Sequence, residues 1–248
     1  MTTSISDNHL YPSVCSRATH NDSDFATFKS NASYQAILEH VSEELGKKYY
    51  KEINNSNILL NIDKFKVNDK LGGPLKFTYD FGEFSPTTVR YMKVLNDILS
   101  RWDIDGKNII EIGAGYGGQY FVMKQISNPR KWSFVDLPDV ISLISKYLTA
   151  LDTNENVEYV DGTNTGHIYD EEYDLVISNY GISECSEVVQ KHYIEKIISK
   201  CKHGYILHNQ MASYSLDNFV GDLQKLGKDV AILNEVPLTG NNNVLLVW

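Results

Sequence analysis

Residues 108–118 read Asn-Ile-Ile-Glu-Ile-Gly-Ala-Gly-Tyr-Gly-Gly, an apolar run that leads directly into a cluster of glycines. This order predicts a buried strand, then a glycine-rich turn, then the start of a helix. Gly113, Gly115 and Gly117 have no Cβ, so the backbone can turn tightly and lie close to a bound ligand. The stretch therefore predicts an α/β protein with a nucleotide-like cofactor at this turn.

The glycine spacing alone does not identify the cofactor. Gly113, Gly115 and Gly118 also satisfy the G-x-G-x-x-G spacing of dinucleotide-binding proteins. Glu111 lies two residues before the first glycine, where its negative charge would repel a pyrophosphate. S-adenosylmethionine carries an ammonium and a sulfonium but no phosphate, so we expect it in preference to a nicotinamide dinucleotide.

A second carboxylate follows at the end of the next apolar run. Asp136 closes the run that starts at Trp132, and it lies 23 residues after Gly113, about the spacing of successive strand ends in a βαβ unit. We expect Asp136 to accept hydrogen bonds from the ribose hydroxyls of the cofactor. Its alternative role is to cap the helix that Pro138 opens, and the two roles are compatible.

The chain divides into an extension, residues 1–105, and a catalytic domain, residues 106–248. Apolar residues recur every three or four positions from Tyr34 to Ile53, which predicts one amphipathic helix. Ser85 followed by Pro86 predicts the start of a second helix. We expect this mostly helical extension to form a cap that contributes to the acceptor site.

From residue 106 onward, strands alternate with helices, and two final strands are joined by a link too short for a helical crossover. The predicted fold is a Rossmann-like, doubly wound α/β fold whose mainly parallel, seven-stranded sheet ends in an antiparallel hairpin. Such a sheet is the layout of the class I methyltransferases. The predicted strands cover residues 108–112, 132–135, 157–160, 173–178, 204–208, 230–236 and 244–248.

Ligands of open α/β sheets bind outside the carboxyl ends of the strands, so residues at those ends are site candidates. Asp161 and Gly162 follow one strand and are placed to meet an adenine, although Asp-Gly is also a common turn. Asn179 and Tyr180 follow the next strand, where the transferred methyl should lie.

Two residues are candidates for the base that accepts the proton of the acceptor. His208 ends a strand and has the right intrinsic pKa for proton transfer near neutral pH. Glu184 is the second candidate, and its alternative role is a favourable charge at the start of a helix. The aromatic residues Phe77, Tyr79, Phe81 and Phe84 are expected to be packing, although with Glu83 and Arg90 they are also candidates for lining an acceptor pocket.

Composition restricts the class of partner. The chain has 248 residues, 42% of them hydrophobic, and a formal net charge of −9, which argues against a surface for nucleic acid. The three cysteines lack the spacing of a zinc or redox site, and no dense cluster of carboxylates announces a magnesium site. We therefore expect no metal, no membrane insertion, a cytoplasmic location and a small acceptor, and we leave homo-oligomerisation open.

Several segments of the second half resemble the sugar O-methyltransferase family. They are Glu111–Gly118, Val135–Asp139, Asp174–Glu184 and His203–Asn209, and the resemblance extends over about residues 70 to 248. It implies a class I fold, S-adenosylmethionine as donor, and as acceptor a hydroxyl of a deoxysugar, a nucleotide sugar or a surface glycan.

The resemblance also assigns roles residue by residue. The methionine part of the donor would be held by Glu111, Gly113, Ala114, Gly115 and Tyr116. Asp136 and Leu137 would hold the ribose and adenine, and Asn179 and Tyr180 would face the reaction centre. The alternatives are a methyltransferase with a phenol, lipid or amine acceptor, an NAD-dependent oxidoreductase, and a cofactor-binding protein without catalysis.

Overall fold

The computed structural model describes residues 10–168, 170–211 and 213–248. Residues 1–9 of the predicted extension therefore lie outside the described residues. Two sheets are present in the described part of the chain, a small hairpin and a large mixed sheet. The hairpin consists of β1 (Phe77–Tyr79) and β2 (Gly82–Phe84), and these strands contain three of the aromatic residues that were expected to be packing.

The large sheet has seven strands, in the order β5-β4-β3-β6-β7-β9-β8. Their bounds are β3 Asn108–Ile112, β4 Lys131–Asp136, β5 Val157–Asp161, β6 Tyr173–Asn179, β7 Cys201–His208, β8 Ala231–Asn234 and β9 Val244–Val247. Strands β3 to β7 are parallel, and β9 runs antiparallel between β7 and the edge strand β8. This is the Rossmann-like methyltransferase fold, and the predicted fold class is confirmed.

Eleven α-helices occur in the described ranges. They are α1 Leu10–His20, α2 Asp22–Phe25, α3 Ala32–Gln35, α4 Glu43–Lys51, α5 Ser56–Leu60, α6 Ile62–Phe65, α7 Pro86–Leu99, α8 Gly118–Lys124, α9 Pro138–Ala150, α10 Glu187–Lys196 and α11 Leu216–Lys225. Helices α1, α4, α7, α8 and α9 pack on one face of the sheet, and α10 and α11 pack on the other. The result is a three-layered domain with a core on each side of the sheet.

Local capping explains where several helices begin. The Ser85 hydroxyl accepts a hydrogen bond from the Thr88 amide at 3.1 Å, and Pro86 occupies the first helical turn of α7, as its sequence predicts. The single helix predicted from Tyr34 to Ile53 is wrong. It is interrupted between Gln35 and Glu43 because Ser42 caps a new helix by accepting from the Leu45 amide at 3.2 Å.

The sheet order places the site. Strand β3 is central, and the chain continues to β4 and β5 on one side of it and to β6 and β7 on the other. The crevice between the carboxyl ends of β3 and β6 is therefore a topological switch point, the place where open α/β sheets bind ligands.

Candidate cofactor and acceptor site

A cavity of about 750 Å³ opens at the carboxyl ends of the parallel strands. This volume lies within the ~300–1,000 Å³ range of small-molecule sites. The residues predicted from the sequence that line it are Gly113, Gly115, Asp136, Leu137, Gly162, Asn179, Tyr180 and Glu184. The predicted residues outside its lining are Glu111, Ala114, Tyr116, Asp161 and His208.

The glycine turn has the backbone geometry that its sequence indicates. Gly113 and Gly115 have φ angles of 76° and 60°, in the left-handed region that residues with a Cβ adopt at a cost. A Cβ at Gly113 would lie 2.6 Å from the Cα of Gly181, and a Cβ at Gly115 would overlap the side chain of Leu38. The turn is thus packed closely between β6 and the extension, with its backbone facing the cavity.

Asp136 lies at the end of β4, beside the glycine turn. Its Oδ2 accepts a hydrogen bond from the Gly115 amide at 3.1 Å, and its Oδ1 accepts from the Leu137 amide at 2.8 Å. Each oxygen keeps a further lone pair for a ligand hydroxyl. Burial raises the pKa of Asp136 to about 6, and the backbone hydrogen bonds oppose this rise.

At the end of β5, backbone rather than a carboxylate faces the cavity. Gly162 and Thr163 line it, whereas Asp161 Oδ1 accepts from the amide and the hydroxyl of Thr163, at 2.8 Å and 2.7 Å. Asp161 therefore forms the turn that the sequence offered as its alternative role, and its expected contact with adenine is corrected. The Tyr193 hydroxyl donates to the Gly162 carbonyl at 3.0 Å and fixes this edge.

The expected roles of Glu111, Ala114 and Tyr116 in holding the donor are also corrected. Glu111 is buried in the helical layer, where it accepts from Trp132 Nε1 at 3.1 Å, because side chains alternate between the faces of a strand. Burial raises its pKa well above the usual range. Tyr116 is fully buried below the turn, and its hydroxyl accepts from Asn68 Nδ2 at 2.9 Å; Ala114 is buried as well.

Asn179 and Tyr180 both face the cavity after β6. The Asn179 Oδ1 is buried and has no hydrogen-bond partner, whereas its Nδ2 donates to Gln119 Oε1 at 3.4 Å. Tyr180 has a φ of 69°, and its hydroxyl donates to the buried carboxylate of Glu235 in the last hairpin. The cavity lining therefore includes a residue whose amide oxygen is buried and has no hydrogen-bond partner.

The lining contains a second carboxylate, Glu184, in the segment that follows β6. Its Oε1 accepts from Asn209 Nδ2 at 2.8 Å, and Asn209 follows β7. Burial raises the pKa of Glu184, while the hydrogen bond from Asn209 and the charge of Arg90 lower it. A carboxylate with a raised pKa that faces a cavity is suited to accept a proton.

His208, the other candidate base, is turned away from the cavity. Its side chain is fully buried, its ring lies 5.3 Å from the ring of Phe219 in α11, and its Nδ1 accepts from the Gln210 amide at 3.2 Å. Burial lowers its pKa to about 4, so the ring is neutral. The expectation of His208 as base is corrected, because strand alternation points it into the opposite layer.

The extension lines the cavity through residues that the sequence did not identify as site residues. Ile37, Leu38, Val41, Leu45 and Tyr49, which were expected to form the inner face of one helix, instead line the cavity around the interruption before α4. A signal was available, because Ser42 followed by two glutamates is a helix start.

Other lining residues come from separate parts of the chain. Arg90 of α7, a candidate for lining an acceptor pocket, does line the cavity. Phe77, Phe81 and Phe84 do not line it and pack in or against the hydrophobic core instead. Tyr11, His40 and His192 also line the cavity, and no spacing in the sequence connects them.

Neither a cluster of metal-binding side chains nor a membrane-spanning helix occurs in the described residues. That part of the chain contains no group of three or more His, Cys, Asp or Glu side chains placed to hold a metal ion. None of its helices is both long enough and apolar enough to span a membrane.

Comparisons with known proteins reach the fold only. No protein-family model and no curated protein matches the sequence. An O-methyltransferase family protein from Burkholderia thailandensis has 16% sequence identity and a TM-score of 0.49, with 65% of this chain and 56% of that chain covered. The pyocyanin biosynthetic protein PhzM gives 11% identity and a TM-score of 0.46, with the same coverage of 65% and 56%.

A third similar structure is precorrin-6y C5,15-methyltransferase from Geobacter metallireducens. It has 15% identity and a TM-score of 0.45, with 64% of this chain and 86% of that chain covered. The chain spans just over half the length of the first two proteins. With TM-scores below 0.5, these similarities concern the fold alone.

Proposed function

We propose that the protein is an S-adenosylmethionine-dependent methyltransferase that acts on a hydroxyl of a small acceptor. The observation that supports this most directly is the cavity at the switch point of the sheet, bordered by the Gly113–Gly115 backbone and the Asp136 carboxylate. A carboxylate beside a glycine turn, with no lysine or arginine among the residues of the turn itself, suits a ribose diol and a cationic amino-acid end better than a pyrophosphate.

Each part of the donor has a counterpart in this chain. The backbone of Gly113 and Gly115 leaves room for the methionine part, and the Asp136 oxygens can accept from the two ribose hydroxyls. The backbone of Gly162 and Thr163 borders the space for the adenine. The free Asn179 Oδ1 supplies a partial negative charge near the sulfonium.

S-adenosylmethionine, when bound, supplies a methyl group made electrophilic by the positive sulfur. The chain positions the acceptor and removes its proton. Glu184 is the proposed base, because it faces the cavity and burial favours its protonated form after the transfer. Tyr180 is held by Glu235 at the border of the acceptor space, so we assign it a positioning role.

A sugar is the proposed acceptor class. The support for it is the resemblance of four segments to sugar O-methyltransferases, together with a lining that mixes apolar walls with tyrosine, carboxylate and amide groups. Such a lining can bind a molecule that has both hydroxyls and apolar ring faces. The net charge of −9 supports a small acceptor rather than a nucleic acid.

Two measurements, made one after the other, test the proposal. Calorimetry should detect binding of S-adenosylhomocysteine to the wild type, while NADH should not bind; the opposite pattern would reject the methyltransferase in favour of an oxidoreductase. Labelled S-adenosylmethionine is then incubated with a panel of nucleotide sugars, free sugars and phenols, and mass spectrometry identifies any product that gains one methyl group. Transfer only to phenols would reject the sugar.

A further inference from the structure

Two buried cations near the cavity differ in how their charge is satisfied. Lys29 is fully buried, and its Nζ donates to the Asn68 carbonyl at 2.7 Å and to the Tyr147 hydroxyl at 3.2 Å. The same Nζ lies 4.0 Å from the centre of the Tyr116 ring. Lys29 does not line the cavity, so the protein itself provides the partners of this charge.

Arg90, which is 6% exposed and lines the cavity, is satisfied less completely. Its Cζ lies 5.6 Å from the centre of the Tyr91 ring, its charge and a hydrogen bond lower the pKa of Tyr91, and its charge also lowers the pKa of the buried Glu39 carboxyl. Its Nη2 makes one long hydrogen bond, 3.4 Å, to the Leu38 carbonyl, and its buried Nε has no hydrogen-bond partner. Among the described residues it forms no ion pair within 4.0 Å. A buried guanidinium with unused donors carries a desolvation cost that a bound anion would offset.

The electrostatic neighbours of Arg90 locate it along the cavity. Its charge lowers the pKa values of Tyr49, Tyr180 and Glu184, which burial raises. Its hydrogen bond to the Leu38 carbonyl places it beside the link before α4, where the Leu38 side chain lies against Gly115. Arg90 therefore shares the part of the cavity that contains Tyr180 and the proposed base, Glu184.

We propose that Arg90 is the anion-binding residue of the cavity and takes a carboxylate or phosphate group of the bound molecule, with the acceptor as the favoured source. This inference rests on the proposed function and narrows its substrate class to an acidic sugar or a sugar phosphate, including a nucleotide sugar. The planar guanidinium offers parallel N–H donors that match two oxygens of such a group. The amino-acid carboxylate of the donor is the other source of the same chemistry.

The first experiment measures anion binding with inorganic phosphate and acetate as probes. Each is titrated into protein saturated with S-adenosylhomocysteine, using Arg90→Met, Arg90→Lys and the control Arg101→Met, whose side chain is exposed just after α7. We expect Arg90→Met to weaken anion binding at least about tenfold, a loss typical of one charge-assisted contact, and Arg90→Lys to weaken it less. Arg101→Met should bind like the wild type.

The second experiment separates the two sources. S-adenosylhomocysteine carries the amino-acid carboxylate and 5′-methylthioadenosine does not. If the acceptor supplies the anion, Arg90→Met binds both compounds as the wild type does. A loss of about tenfold for S-adenosylhomocysteine alone would overturn the acceptor assignment and give the anion to the donor.

Retention of both phosphate affinity and S-adenosylhomocysteine affinity in Arg90→Met would overturn the whole inference. Circular dichroism and thermal unfolding show whether each variant is folded, and Arg90→Lys, which keeps the charge but loses the planar fork, serves if the methionine variant does not fold. Failure of the wild type to bind S-adenosylhomocysteine would reject the proposed function instead. Phosphate titration of the free protein would then still report on Arg90.

Discussion

The two halves of the cavity are built in different ways. The half at β3, β4 and β5 is called the backbone half. It is made largely of backbone, in the turns after the strands, and Asp136 is its one charged side chain. The other half, at β6 and β7, is called the acceptor half. It is made of side chains that come from the strand ends, from α10, from the extension including α7, and from the last hairpin. The first half depends on strand register and glycine geometry, whereas the second depends on which side chains tertiary packing brings together.

The largest expected effect separates chemistry from donor binding. Glu184→Gln removes the proposed base but keeps an oxygen that can accept from Asn209. We expect turnover to fall by about 10² to 10⁴, because proton transfer to a positioned side chain contributes on that order. The dissociation constant of S-adenosylhomocysteine, measured by calorimetry, should stay within about twofold of the wild-type value.

His208→Gln is the matched control for this prediction. His208 lies at the carboxyl end of β7, at the same edge of the sheet as the cavity, but its side chain packs against Phe219 outside the cavity. We expect its turnover per folded molecule to equal that of the wild type. Normal turnover in Glu184→Gln would show that Glu184 is not the base. Weakened binding of S-adenosylhomocysteine in this variant would show that the two halves of the cavity do not act separately.

A second substitution tests the backbone half. Gly113→Ala places a methyl group 2.6 Å from the Gly181 Cα, at a φ of 76°. Left-handed strain and overpacking each cost about 1–2 kcal/mol, so we expect the free energy of unfolding to fall by about 3 kcal/mol. Urea unfolding measures this loss, and donor affinity should fall with it because the turn must shift.

Gly221→Ala provides the control, since its Cβ would meet nothing within 4 Å in α11. Alanine has the higher helix propensity, so this variant should be as stable as the wild type or more stable by up to about 1 kcal/mol. Equal stability losses in both variants would show that the close approach of Gly113 to Gly181 is unimportant.

The difference between the halves also explains what the sequence could predict. The strands from β3 to β7 and β9 were identified because buried strands are continuous apolar runs bounded by turn residues, and their ends followed from that pattern. The edge strand β8 is exposed and was identified by its apolar run and by the short link to β9. Gly113, Gly115 and Asp136 were found in this way. Glu111 and His208 were misassigned because the alternation of side chains decides whether a residue near a strand end faces the cavity or a helical layer.

The extension could be predicted much less well. An apolar spacing of three and four from Ile37 to Ile53 is compatible with one long helix or with two helices and a link. The Ser42 cap selects the second arrangement, and the link then faces the glycine turn through Leu38. The contribution of Arg90 depends on contacts between distant segments, which no local pattern encodes.

A third prediction concerns Lys29, whose Nζ lies 4.0 Å from the centre of the Tyr116 ring in the glycine turn. Burial lowers the pKa of Lys29 to about 8, whereas in the unfolded chain it is about 10.4. Between these two pKa values the unfolded chain binds the Lys29 proton more tightly than the folded protein does. The free energy of unfolding is therefore greatest above the unfolded pKa and decreases as the pH falls towards 8. We expect the free energy of unfolding to rise by about 2 kcal/mol between pH 8 and pH 9.5.

Chemical unfolding at several pH values measures this rise, and Lys29→Met should remove it. The exposed Lys225 on α11 is the site of the control variant, Lys225→Met, which should keep the wild-type profile. A profile that is flat for the wild type would mean that the buried ammonium is solvated or paired in solution.

The smallest expected effect is on the pH dependence of donor binding. The pKa of Asp136 is raised to about 6 in the free protein, and ribose hydroxyls donate best to its ionised form. As the pH falls through 6, the acceptor form is lost, so the affinity for S-adenosylhomocysteine should fall by about tenfold between pH 7 and pH 5. Asp136→Asn should bind S-adenosylhomocysteine weakly at both pH values. A wild-type affinity that is constant between pH 7 and pH 5 would show that Asp136 does not bind the ribose, and the backbone half would then make no charged contact with the donor.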